Sequence, residues 1–216
     1  MRVDLIIVRG HTPMEFCLHY YGELKSHDTA AGKHRIRQTL HPQIQSLCRS
    51  PPFSYFFSDD RNGERNRTRK PKTGDPEEVT VDDMLYLEPM YVELGSKRYW
   101  FLISEDLATV ADLRITILVP HETGHIVQNG GDIDNRIKTL FDALRVPSAP
   151  SEIPSSDSFD YTNGGMYCLL RDDKLINRVA IQSYQDHDPK DPDSVKCLIE
   201  VETKITVALV RNLAFV

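Results

Sequence analysis

The 216-residue chain lacks several things that would each have named a class of protein. No apolar run approaches the roughly 18 residues needed to span a bilayer; Leu5 to Val8 and Tyr99 to Ile103 are about the longest, and both suit strands. The four residues after Asp4 are too few for the hydrophobic stretch of a signal peptide. Cys17, Cys48, Cys168 and Cys197 form no C-x-x-C pair, so a disulfide framework and a cysteine metal site have no support. These absences together predict a cytoplasmic protein with reduced thiols and no membrane segment. No G-x-x-x-x-G-K-[ST] loop or G-x-S-x-G elbow occurs, which removes nucleotide hydrolysis, a nucleotide cofactor and acyl transfer. No internal repeat is visible. A basic surplus is missing too: the net charge is -6, so any nucleic-acid site must be local rather than a general coat.

What is present is an ordinary globular composition, 40% hydrophobic and 27% charged, which predicts one domain over residues 1–216. Glu15 to Leu24 places Phe16, Leu18 and Tyr20 on one alternating face, a strand. In the segment from Lys33 to Arg49, Ile36, Leu40, Ile44 and Leu47 recur at helical spacing, with Pro42 marking a kink or a break. A polar insertion at about 58–78 follows, and Arg61, Arg65, Arg67, Arg69, Lys70 and Lys72 fall within twelve of its residues. Such a run is either a solvated loop or a phosphate-contacting arm. A hairpin turning at Gly95 and Ser96 and a central strand from Ala111 come next. In the segment from Asp132 to Leu144, Ile133, Ile137, Leu140, Phe141 and Leu144 give the clearest helical stripe of the chain. A long loop at about 146–165 and two closing strands, from Arg178 and from Lys196, complete an α+β pattern. The expected fold is a mainly antiparallel sheet with helices packed on one face.

Chemistry concentrates where Gly130 and Gly131 meet that helix. Asp132, Asp134, Asn135 and Lys138 fall within seven residues, and Asp172 and Asp173 lie beside a later strand. Carboxylates packed so closely repel unless a cation compensates, and oxygen ligands favour a hard ion, magnesium or manganese. Residues two apart point about 200° apart on a helix, so Asp132 and Asp134 converge only if Asp132 precedes it. Lys138 shares the face of Asp134. Spacing alone leaves open an ordinary salt bridge of Lys138 with Asp134 or Asp142, and an N-cap role for either aspartate.

The string from Asp132 to Leu144, D-I-D-N-R-I-K-T-L-F-D-A-L, resembles the D-x-D-N-x-x-K-x-x-x-D-A-L signature of RusA-type Holliday-junction resolvases. D-D-K-L-I, Asp172 to Ile176, resembles their following D-D-x-x-[IV] element. The resemblance implies a dimeric, magnesium-dependent endonuclease of branched DNA, acting in recombination and repair. Asp132, Asp134 and Asp173 would then be the metal-binding acids, Asp172 their assistant, Lys138 a catalytic or phosphate-facing base, and Asp142 a cap or a brace. Three departures stand out. The family's basic run before the first aspartate is replaced by His125 to Gly131, the gap from Leu144 to Asp172 is longer, and the insertion bearing Arg61 to Lys72 is extra. Phosphate contacts are therefore expected from that insertion, from Lys33, Arg35 and Arg37, and from His125.

Two competing readings follow. H-E-T-G-H, His121 to His125, matches the zinc-protease string, but Pro120, Gly124 and the Gly130–Gly131 pair leave no room for the continuous helix that zinc binding requires. A catalytically silent DNA-junction-binding or interaction module on the same scaffold is the other, and the four retained key residues argue against it.

Overall fold

The structure, a computed structural model, describes residues 14–50, 53–57, 90–120, 133–209 and 212. Strand β1 (Met14–Gly22) leads to helix α1 (Ala30–Cys48) and a short helix α2 (Ser54–Phe57). Strands β2 (Tyr91–Leu94), β3 (Lys97–Ile103) and β4 (Thr109–Val119) precede helix α3 (Ile133–Leu144). Strands β5 (Met166–Leu170), β6 (Ile176–Gln185) and β7 (Val195–Ile205) close the order. The architecture is α+β, and its strands form two sheets of mixed direction. One has the order β1-β7-β4-β6, antiparallel except between β4 and β6; the other has β2-β3-β5, antiparallel then parallel.

Alternation explains the larger sheet. Its inner face is a set of cross-strand rows: Phe16, Val201 and Leu113 in one, Leu18, Ile199 and Ile115 in the next, continued on edge strand β6 by Val179 and Ile181, which are exposed. The residues between them, such as Glu200 and Arg114, turn outward and pair at 2.8 Å. Against this face lies α1, which contributes buried Ile36, Leu40 and Ile44 to a cluster that also holds Leu140 and Leu144 of α3. At about 25 cal/mol per Å² of apolar surface, each of these buried aliphatics contributes on the order of 2 kcal/mol.

Helix α1 starts at Thr29, whose hydroxyl accepts the Gly32 N–H at 3.2 Å. It runs through Pro42 as one element, where the sequence suggests a kink or a break. Pro42 is exposed, so the ring lies on the solvent side while the four-residue apolar stripe holds the other side to the sheet. Strand β5 is an addition to the expected elements. All five of its residues are buried, so it carries no alternation to read. Among the described residues no helix is long and apolar enough to cross a membrane.

Candidate active site

The α3 stripe buries Ile137, Leu140 and Leu144, leaving Asp134 and Lys138 exposed on the opposite side. Lys138 forms no ion pair with Asp134 or Asp142, so the simple i, i+4 bridge is not what holds it there. Asp142 is a brace, as expected: it accepts Lys33 Nζ at 2.6 Å and Arg145 Nη2 at 3.2 Å.

The last turn of α3 is also where one expectation is corrected. Arg37, read as a phosphate contact, is 1% exposed. Its Nε donates to the Arg145 carbonyl at 3.0 Å and its Nη2 to the Asp142 carbonyl at 2.5 Å. The final carbonyls of a helix have no partner within it and carry the negative end of its dipole, so a buried guanidinium satisfies both needs. Arg37 therefore caps α3 and does not face a ligand. Lys33 is held by Asp142, while Arg35 is exposed and pairs with Glu23 at 2.9 Å.

Beyond α3 the chain makes a long excursion and comes back to where it left. Val146 N–H donates to the Leu170 carbonyl at 2.9 Å, and Arg145 bridges Leu170 in parallel register. Residues 147–169, which include most of β5, thus leave and return to one place, and the chain on either side of them is neighbouring in space. Immediately after the return, Arg171 N–H donates to the Ile103 carbonyl at 3.0 Å, fixing the start of the acidic turn to β3.

That turn is a 3-10 element, Asp173–Leu175, packed on α3 and β4. Asp172 caps it by accepting the Lys174 N–H at 3.0 Å, and buried Leu175 anchors it. Asp173 is exposed, and among the described residues neither of its oxygens is taken by a hydrogen bond or ion pair. It lines an open cleft of about 640 Å³ with Asp172, Arg145, Arg171 and Lys174. Burial works against the Arg145 charge, but the carboxylates of Glu152, Asp142 and Asp173 outweigh it and raise its pKa. These three cations are ones the sequence reading passed over. The signal was their position, one directly after D-A-L and two flanking D-D.

Asp132, His125 and the six basic residues from Arg61 to Lys72 lie outside the described residues, as do His121 and Glu122 of the H-E-T-G-H string. Among the described residues no three His, Cys, Asp or Glu side chains are gathered as a metal-holding group. The described acids are of the kind that suits a hard cation: Asp134 and Asp173 are exposed carboxylates, and Asp172 has one oxygen beyond the one used in capping. Comparison of the chain with models of known protein families, with curated proteins and with solved structures finds no match.

Proposed function

We propose that the chain is a magnesium-dependent endonuclease that cleaves phosphodiester bonds in branched DNA, in the manner of RusA-type Holliday-junction resolvases. The observation that carries this reading is the contact between Val146 and Leu170. It brings the D-D turn beside Arg145 at the last turn of α3, so the two motifs belong to one helix-and-turn unit although they are far apart in sequence, with Asp134 at the first turn of that helix and Asp173 near its last. The antiparallel unit β1-β7-β4 stands in this reading for the family's mainly antiparallel sheet.

Asp132, Asp134 and Asp173 would hold magnesium or manganese, with Asp172 setting the direction of Asp173 through the turn it caps. The bound ion supplies polarisation of the scissile phosphate and a more acidic water. Lys138, exposed and without a partner on its own helix face, offsets charge that develops on the phosphate oxygens. Arg145, Arg171 and Lys174 line the cleft, each paired with carboxylates (Glu152 and Asp142, Asp106, and Glu105 respectively), so a phosphate would compete with those acids for them. A junction presents two related strands for cutting, so a two-fold homodimer is part of the proposal.

The test is incubation of the protein with labelled four-way junction, forked and single-stranded DNA, with and without magnesium. Cleavage of branched DNA only with the metal, lost in Asp132→Asn, Asp134→Asn and Asp173→Asn, is the expected result. Full cleavage by any of these variants would overturn the site assignment, and an uncut junction would overturn the activity.

A further inference from the structure

A second cavity, of about 1230 Å³, opens at the other end of β3 and β5, beside Ser96, Arg98 and Tyr167. One wall is a continuous run of rings. Tyr161 meets Phe159 edge-on at 4.9 Å, Phe159 meets His41 at 4.9 Å, and His41 lies 5.7 Å from Tyr167. Gly165 lets this wall approach β3: its φ is +96°, and a Cβ there would stand 2.5 Å from the Arg98 carbonyl oxygen. Trp100 Nε1–H donates to the Gly164 carbonyl and ties the loop in place.

His41 is set in one protonation form. Its Nδ1 accepts the Tyr167 N–H at 2.9 Å, so the neutral ring carries its proton on Nε2. Burial first, and then the nearby Arg49 charge, push its pKa down to about 4, which keeps it a neutral donor at pH 7. Arg49, exposed at the end of α1, lines the same cavity and makes no ion pair among the described residues. Glu93 is paired with Arg98 at 3.0 Å, whereas Asp160 accepts only from the neutral Thr162 and Asn163 and keeps its charge, so a backbone would lie toward Arg49 and away from Asp160.

We infer that this cavity binds single-stranded nucleic acid, with bases against Phe159 and Tyr161 and a phosphate at Arg49 and the His41 Nε2–H. A row of aromatic rings beside a cation without a counter-ion is the arrangement that stacks bases and tracks a backbone. Size supports a strand segment over a free small molecule, since small-molecule pockets run to about 300–1,000 Å³ and this one is larger and open. The choice of nucleic acid as ligand rests on the nuclease reading above; the cavity is lined by none of the residues assigned to that chemistry.

The experiment is fluorescence anisotropy of the whole protein with labelled dT and rU oligomers and a DNA duplex, in metal-free buffer. Arg49→Ala should weaken single-strand binding about tenfold, as for loss of one charge-assisted contact, and flatten its salt dependence by about 0.7. His41→Asn, which keeps an acceptor for the Tyr167 N–H but loses the Nε2–H, should weaken it by about threefold. The dT and rU arms decide which strand is preferred. Wild-type protein that binds neither oligomer, or Arg49→Ala binding them within about twofold of wild type, would overturn the inference. So would an equal loss on duplex, which would place Arg49 on a general duplex surface. Because binding is read without metal, failure of magnesium-dependent cleavage leaves this result standing, and the reverse also holds.

Discussion

Asp157 and Asp173 are the same residue sixteen positions apart, and the chain treats them in opposite ways. Asp157, in the 147–169 excursion, has a side chain 1% exposed and four donors: His34 Nε2 at 2.9 Å, Lys97 Nζ at 2.6 Å, Tyr161 Oη at 2.9 Å and the Phe159 N–H at 3.0 Å. Asp173 faces the cleft with its oxygens unclaimed among the described residues. A carboxylate consumed by donors is a bolt, whereas one kept open beside another acid has no structural reason to be there. The difference separates the acids that hold the fold from those available to a ligand.

Replacing the bolt should have the largest effect. Asp157→Ala leaves buried His34 and the Lys97 ammonium without their partner, and should cost about 3–5 kcal/mol in urea unfolding. A loss below about 1 kcal/mol would erase the contrast. Asp173→Asn should do the reverse. Its unfolding free energy should stay within about 0.5 kcal/mol of wild type, while magnesium-dependent junction cleavage falls by roughly a hundredfold or more.

Acid sharpens the comparison next. Burial alone would raise the Asp157 carboxyl, but the Lys97 ammonium, the Phe159 N–H and the Tyr161 hydroxyl hold it down at about 2. Its stabilisation is present above the unfolded value near 3.9 and is lost as pH falls through 2, a contribution of about 2–3 kcal/mol. His34 acts earlier. Burial outweighs the pull of Asp157 and lowers its pKa, so the unfolded chain takes up that proton first. Stability should therefore begin to fall as pH drops below about 6.5. Urea titrations from pH 8 to pH 2 should show both stages, and Asp157→Asn should remove the lower one. Smallest is Asp172→Ala, which deletes the cap of the acidic turn and should cost about 1 kcal/mol by thermal unfolding.

How much of this was legible depends on whether the cause was local. Phe16, Leu18 and Tyr20 alternate because one face of β1 is buried, and Ile133, Ile137 and Leu144 recur because one side of α3 is buried, so both elements could be read. Gly95 adopts φ +65° at the hairpin where it was expected. Strand β5 escaped because burial on both faces removes the period. Arg37 was misread because a basic residue in a basic run looks the same whether it meets a phosphate or a carbonyl; its partners lie more than a hundred residues away. The same distance hid the His34 and Asp157 pair. At the candidate site, the types and spacing of the acids were legible, but the closure at Val146 and Leu170 was not.

The Arg37 cap has a mechanical consequence. Together with the Lys33 and Asp142 pair, it welds the start and middle of α1 to the last turn of α3, so the two helices move as one lever. The far end of α1 carries Arg49 at the open cavity, and the far end of α3 carries Asp134 and Lys138. The two helices are thus pinned to each other at one place, so the angle between them, and with it the spacing of Arg49 from Asp134, is set by contacts made where neither of those residues lies.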